Sequence, residues 1–388
     1  MQLILFDPPG RTGLYPFTEV RSLADLRVGL LTQHERWARL LQRPAQVLTT
    51  NLLQRKYWLQ PGQDNLYLHA GLIPATQLIR QLQALTPNSA LLHSNGTVLA
   101  YRSEATAQPW APSGATNIVY TDEVRVLQNA HDLVQWNAIA LQADFGLLTQ
   151  NRTTESISDT NKIIGQHPVF LEQGAVAEHC VFNTTEGPVY LGRNSLVMEG
   201  STIRGPFGLL EGGVVKMGAR IYAGCTLGRY SVAGGEIKNT ILFDYANKAH
   251  DGYLGDAVIG SWCNLGAGTS CSNIKNNAGM VRTWNPYSKK WIAVGQKCGA
   301  FLGDYSRTAI HTALNTGTVA GVGCNIMGNG FLPKYIPDFT WNCATGERYV
   351  AEKLLRDIEN WMQLKNHQLS EADKEILLHL HRKQSEEA

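Results

Sequence analysis

From Leu191 to Leu227 every sixth residue is aliphatic: Leu191, Val197, Ile203, Leu209, Val215, Ile221 and Leu227. With Leu, Ile and Val at roughly a quarter of positions, seven successive hits arise by chance on the order of once in ten thousand trials, so the period is a signal. Four residues after each stands a second set, Ser195, Ser201, Phe207, Gly213, Ala219, Cys225 and Ser231, small in all but one case. A helix repeats at about 3.6 residues and a half-buried strand at about 2, so neither produces this spacing. A parallel β-helix does, each hexad supplying one short strand and a corner, with about three hexads to a coil. The aliphatic residue then points to the axis and the small one lets the chain turn. The phase returns as Leu254, Ile259 and Leu265 with Ala257, Cys263 and Thr269, and the same texture runs through 294–328. It slips over 233–242, where a loop or bulge is expected. The 37 glycines, interleaved with periodic aliphatics, mark ordered corners rather than disorder.

The two ends follow other periods. Residues 1–150 alternate strand-like runs (QLILF, QVLTT, LYLHAGLI, ALLHSNGTVLAY) with helical patterns (LADLRVGLLTQHERWARLL, ATQLIRQLQAL, NAHDLVQWNAIALQADFGLL), which predicts an α/β domain. Residues 151–162 are polar and read as a linker, 163–345 as the β-helix, and 346–388 as helices packed on it. In the last segment Val350, Leu354, Ile358, Trp361 and Met362 share one helical face, and Ser370 with Asp373 forms a capping box for a final helix.

Composition narrows the function classes. At 388 residues, 44% hydrophobic and 17% charged with a formal charge of +2, the chain has no polybasic tract that calls for nucleic acid or a membrane surface. Its first residues lack the basic flank and long apolar core of a signal peptide, and no apolar run reaches the roughly 20 residues of a spanning helix. The seven cysteines are odd in number and form no C-x-x-C pair, which points to packed thiols in a reducing, cytoplasmic compartment.

Candidate chemistry sits in AHDGYLGDAVIGSWCNLGAGTSCSN. The stretch resembles the acetyltransferase half of the bifunctional glucosamine-1-phosphate acetyltransferase and N-acetylglucosamine-1-phosphate uridyltransferase family, left-handed β-helix proteins. The match runs through His250, Tyr253, Gly255, Asp256, Asn264, Gly266, Ala267, Gly268, Thr269 and Asn273. The stretch 299–321 is similar to later coils of archaeal-type dual sugar-phosphate nucleotidyltransferase and acetyltransferase proteins. Together with LYPFTEVRSLADLRVG, these segments resemble a bacterial group of sugar nucleotidyltransferase-like chains. The resemblance implies a homotrimer that transfers an acetyl group from acetyl-CoA to an amino-sugar phosphate or nucleotide amino sugar. It makes His250 the base, since the attacking amine must be neutral. Tyr253, Asn264 and Asn273 would bind the sugar phosphate or the oxyanion, and Gly303 and Asp304 would contact the acetyl group. Asparagines also stack at β-helix corners for structural reasons alone. The family's phosphate-gripping lysine has no counterpart at its usual place; Lys275, Arg282 and Lys289 in the longer loop are the candidates, with Arg282 the one carried forward.

The front domain departs from its model. A sugar nucleotidyltransferase holds nucleotide phosphates on a glycine-rich G-x-G-T-R loop and then an R-P-K lysine. Aligned on Leu14, Pro16, Thr18 and Arg21, this chain has Pro9 and Arg11 at the loop glycines, Gly13 at the arginine and Leu23 at the lysine. Proline has no amide hydrogen to give a phosphate. Where a strand-end aspartate would hold Mg²⁺ stand His69 and Ala70. A reduced Rossmann-type fold is expected, with Asp7, Arg11 and Arg21 as the remaining candidates for a nucleotide loop. Two alternatives stay open: nucleotidyl transfer through this altered loop, with Mg²⁺, or a non-catalytic sugar-nucleotide-binding scaffold. A β-helix carbonic anhydrase would need three converging histidines, and His250 and His311 lack a third at ligand spacing.

Overall fold

The computed structural model describes residues 1–103, 113–330 and 332–387. Its front domain is built on a mixed six-stranded sheet in the order Ala45–Leu48, Gln2–Phe6, Asn65–His69, Val98–Ser103, Ser89–His93, Thr116–Tyr120. The first three strands are parallel, with Leu3 opposite Ala45 and Leu66, and Val98–Ser103 runs antiparallel to both its neighbours. Helices α1 (Gln33–Leu40), α2 (Thr76–Ala84) and α3 (Ala130–Thr149) complete it. The helical pattern read over 23–41 breaks: Leu23–Asp25 is a 3₁₀ turn, and Arg27–Val28 pairs with Leu31–Thr32 as a small hairpin. Gly29, at φ +76°, makes that turn, and the Thr32–Glu35 capping box starts α1 late.

The hexads wind into a parallel β-helix of the left-handed hexapeptide type with three faces of nine, eight and eight strands. The seven aliphatics from Leu191 to Leu227 are all buried within it, as are the small residues at the corners. Each fully buried Leu or Ile contributes roughly 1.5–3 kcal/mol, so the axial column is the source of the coil's cohesion. The slip at 233–242 is no loop or bulge. Leu209 pairs with Leu227, but Leu227 pairs with Leu242, so this coil is shorter by half a hexad. Ala233 and Ile237 both point inward across a Gly234–Gly235 corner too close to the next coil for any Cβ. The coil after it places Lys248 at an inward position, opposite Ala233.

Two of the faces are covered, each by a different neighbour. The nine-stranded face, from Val169–Leu171 to Tyr335–Ile336, receives the front domain: Phe17 packs on Phe243 and Phe301, with ring centroids 5.6 and 6.1 Å away. There Asn137 of α3 accepts from Gly29 N (2.7 Å) and donates to Gly224 O (2.8 Å). The second face, from Val176–Ala177 to Asn325–Ile326, meets helix α4 (Ala351–Gln363) where the Arg307 guanidinium lies over Trp361. Leu354, Ile358 and Met362 are buried as expected, whereas Val350, just before the helix, is exposed. Helix α5 (Glu371–Glu387), capped by Ser370, reaches back to the front domain through Lys56–Asp373 (2.6 Å). The third face, from Lys162–Ile164 to Ala313–Leu314, keeps an outward row from Lys162 to Ser270 that is half-buried or exposed; it is called the open face below.

The polar stretch before the coil is anchored: Glu155 N donates to Leu171 O (3.0 Å), and Ser158 and Thr160 hold Glu178. All seven cysteines are free thiols, six of them buried. Among the described residues no helix is long and apolar enough to cross a membrane.

Candidate functional site

An open α/β sheet offers ligand sites at the carboxyl ends of its parallel strands. Here the chain fills that edge itself. Asp7, just past Gln2–Phe6, accepts from Ser22 Oγ (2.8 Å), Leu23 N (2.9 Å), Thr49 Oγ1 (2.5 Å) and Arg11 Nε (3.1 Å). Burial pushes its carboxyl above the ordinary range in spite of these donors. Arg11 also donates to the carbonyls of Thr18 and Arg21, stitching the loop over the sheet. Burial holds the His69 imidazole down to about 4, hence neutral, and its Nδ1 accepts from Gly71 N (3.0 Å).

Arg21 leaves the loop for the β-helix, where it pairs with Asp304, reaches Ser261 Oγ (3.2 Å) and lies over the Phe243 ring. Two candidate residues from opposite ends of the sequence thus meet each other. Asp304 also accepts from Ser261 N (3.0 Å), and the Gly303 amide donates to Ala320 O (2.9 Å). Beside them lies a polar cavity of about 310 Å³ lined by Arg21, Arg27, Glu35, Lys56, Arg229 and Asp244. Arg27 reaches both Glu35 (3.5 Å) and Asp244 (3.3 Å), and Arg229 binds Glu35 (2.5 Å). Burial opposes the Glu35 charge, yet the two guanidiniums hold its carboxyl down to about 2. These charges are matched within the seam, which locks the front domain to the coil. Sequence reasoning missed it because its partners lie about two hundred residues apart; the only local trace is the charged residue at hexad corners such as Arg229 and Asp244.

The open face gathers other candidates. His250 stands exposed at the corner that leads into the strand Tyr253–Gly255. The interior Lys248 reaches under this corner, its Nζ donating to the carbonyls of His250 and Asp251. Burial lowers the Lys248 ammonium to about 8, partly offset by Asp251. Tyr253 opens the strand, and burial, followed by the Asp256 and Glu236 charges, pushes its phenol up to about 12, while a hydrogen bond with Asn273 pulls the other way. Asn273 Nδ2 donates to Asp256 Oδ2 (2.5 Å) and Asn239 Nδ2 to Asp256 Oδ1 (2.7 Å). Asp256 therefore organises Tyr253, Asn273 and Asn239 at the strand's far end, next to a cavity of about 240 Å³ that α3 closes with His131.

Register adds two cations that the sequence reading did not single out. Arg220 pairs with Glu236, which pairs with Tyr253; Lys238 pairs with Gly255. Side chains alternate across a strand, so Arg220, Lys238 and Tyr253 all point outward from the open face. Counting coil registers rather than motif offsets would have found them. Asn264 is not brought to this group: it lies on the second face between Asn247 and Arg307. The long loop forms a hairpin, Val281–Asn285 with Lys290–Gly295, docked on the front domain through Asn285 Nδ2 to Thr12 O (2.9 Å) and the Tyr287 hydroxyl to Glu19 (2.7 Å). Arg282 is exposed on this hairpin, Lys289 sits in its turn, and Lys275 donates within the loop to Met280 O. His311 is exposed at a corner two coils beyond Asp251, with Ala267–Gly268 between.

Residues 3–153 match the model of the sugar nucleotidyl transferase family. The bifunctional protein GlmU of Zymomonas mobilis is 29% identical over 171 residues, 42% of this chain and 34% of that protein. GlmU of Nostoc sp. is 40% identical over 80 residues, 21% of this chain and 16% of that protein. A bifunctional sugar-1-phosphate nucleotidylyltransferase/acetyltransferase of Sulfurisphaera tokodaii is 31% identical over 86 residues, 22% and 21% respectively. The chain spans about a third or less of the length of these curated relatives. The solved UDP-N-acetylglucosamine acyltransferase of Francisella novicida is 14% identical and covers 60% of this chain and 87% of its own, at a TM-score of 0.28.

Proposed function

We propose that this chain, related through residues 3–153 to the sugar nucleotidyl transferases and elsewhere similar to GlmU-type bifunctional proteins, is a transferase whose working centre is the open face of its β-helix. The reaction is N-acetylation of an amino-sugar phosphate or nucleotide amino sugar by acetyl-CoA. One observation carries this reading: a protonated phenol and two cations share one face within three successive strands, and an exposed imidazole stands at the corner that leads into it. The acceptor's neutral amine attacks the thioester carbonyl, the C–N bond forms and the C–S bond breaks. His250 takes the proton the nitrogen loses and returns it to the departing thiolate. Tyr253, held protonated, donates to the oxyanion. Arg220 and Lys238 grip the phosphate in place of the loop residues Lys275, Arg282 and Lys289. Gly303 and Asp304 do not fit an acetyl contact, since the amide and the carboxylate are already engaged. We extend the reading to a cytoplasmic homotrimer in which a neighbouring copy walls the cleft beside His250.

Nucleotidyl transfer is favoured by the family match over 3–153, but the closure of Asp7 and Arg11 and the imidazole at the strand end speak against it. The test follows thiol release from acetyl-CoA over a panel of amino-sugar phosphates and nucleotide amino sugars. His250→Ala is expected to lower turnover about 10²- to 10⁴-fold with thermal stability unchanged, because the ring is exposed. Unchanged turnover removes His250 from the mechanism, and pyrophosphate release from nucleoside triphosphate and sugar 1-phosphate would revive the alternative.

A further inference from the structure

Below Tyr253 the open face continues for five more strands. It carries a pocket of about 300 Å³ lined by Ile164, Val181, Asn183, Arg204, Arg220 and Tyr222, among others. That is the lower end of the size range of small-molecule sites. We propose that this pocket is a nucleoside-diphosphate subsite, so that the acceptor is a nucleotide-linked amino sugar rather than a sugar monophosphate. The inference rests on the reading above for where the amine lies.

Strand spacing makes the argument. Neighbouring strands lie about 4.8 Å apart, so Lys238 is about 5 Å from the Tyr253 strand, Arg220 and Tyr222 about 10 Å, Arg204 about 14 Å, and Val181 and Asn183 about 19 Å. The order of those strands is set by the pairings of Val181 with Thr202, Thr202 with Arg220 and Arg220 with Glu236. An amino-sugar monophosphate with its nitrogen at His250 ends at Lys238 or Arg220. Only a longer acceptor, with a second phosphate and a nucleoside, reaches past Arg220 to Arg204 and the far end of the pocket.

The lining offers a contact to each part of that acceptor. Arg220 and Arg204 present forked donors to consecutive phosphates. Their present partners are weak competitors: Arg220 stands 3.8 Å from both Glu236 and Asp251, and Arg204 bonds Glu186 at 3.0 Å where both side chains are exposed. Exposed pairs of this kind are worth about 0–1 kcal/mol. Tyr222 is 42% exposed with Lys238 Nζ 5.9 Å from its ring centre, an aromatic surface for a base to stack on. Val181 and Ile164 supply apolar contact beyond it. Asn183 Oδ1 is held by Thr185 N (3.1 Å) and Thr185 Oγ1 (2.7 Å), which turns the amide nitrogen into a donor for a base carbonyl.

The experiment titrates the full-length protein with uridine and thymidine 5′-diphosphates by calorimetry, without acetyl-CoA, and separately compares kcat/KM for nucleotide-linked and monophosphate amino sugars. One of the two diphosphates is expected to bind, with affinity lowered at least tenfold in Tyr222→Ala and in Arg204→Ala and restored in Tyr222→Phe. The nucleotide-linked acceptor should be preferred at least a hundredfold, a preference that shrinks in Tyr222→Ala. No diphosphate binding, binding indifferent to all these variants, or equal use of the monophosphate acceptor overturns the subsite. Tyr222-dependent binding without acetyl transfer to any acceptor keeps the subsite and defeats the acetyltransferase reading instead.

Discussion

The two edges that carry the candidate chemistry are finished in opposite ways. At the carboxyl end of the front sheet every candidate group is turned inward: Asp7 is held by four donors, His69 is buried and neutral, and Arg21 has left for Asp304. On the open face the groups point outward, and their partners are other outward groups of the same face. The contrast teaches that a site needs unmatched polarity. The front edge has used its donors and acceptors to build an interface, whereas the coil needs none of its outward side chains to stay folded, because the axial column holds it together.

That contrast can be broken at its strongest point first. Asp144 accepts both Arg36 Nε (2.9 Å) and Nη2 (2.7 Å), together with the amides of Leu30 and Leu31. Asp144→Ala leaves a buried guanidinium unpaired and is expected to cost about 3–5 kcal/mol in denaturant unfolding. A loss below about 1 kcal/mol would show that the front domain does not depend on polar closure. In the coil the corresponding cut is Leu209→Ala, a cavity at a fully buried axial position, with an expected cost of about 2–5 kcal/mol.

A subtler break lies where the two regions and the C-terminal helix meet. Burial, followed by the neighbouring Asp338 charge, pushes Glu19 up to about 7, and burial pushes Asp338 up to about 6. The groups facing them are Tyr287, Tyr15, Tyr335, Arg11, Lys383 and Arg348. Because the folded pKa values are raised, the native state holds these protons longer than the unfolded chain. Wild-type stability should therefore fall as pH rises from about 4.5 to about 7. Glu19→Gln and Asp338→Asn, which keep an acceptor oxygen for their partners, should flatten that fall and gain about 2 kcal/mol at pH 8. Parallel profiles for variant and wild type would sink the assignment.

The smallest expected effect belongs to Lys248, the one charge inside the axial column among the described residues. Its lowered pKa means the unfolded chain binds the proton more tightly between about pH 8 and 10.5, so this residue makes stability rise with pH in that window. Lys248→Met should remove that rise, about 1–2 kcal/mol, and loosen the corner it ties. Hydrogen exchange over 249–253 reads the second effect, and unaltered exchange would mean the ammonium does not hold the corner.

Much of this was legible in the chain. The hexads from Leu191 onward, the strands QLILF and LYLHAGLI, α2 and α3, and the Ser370 cap are local patterns, and local sterics enforce them. The shortened coil was visible as a slip but not as a contraction, because a missing half-hexad and an inserted loop disturb a period in the same way. Within the candidate site, His250, Tyr253 and Asn273 were singled out by the family resemblance, and the fold brings Tyr253 and Asn273 together around Asp256. Asn264, from the same motif, falls on the second face, since the motif spans two faces of the coil. Arg220, Lys238 and Tyr222 carry no local mark; each is a neighbour of the Tyr253 strand only through stacking.

By itself, then, the sequence determined the coil and its inward residues, since a six-residue period leaves the backbone one economical way to bury its aliphatics. Which outward groups remain available was decided only by the tertiary structure. The front domain's docking matches charges that lie far apart along the chain, such as Arg21 with Asp304 and Arg229 with Glu35, and no periodicity records which of them will meet.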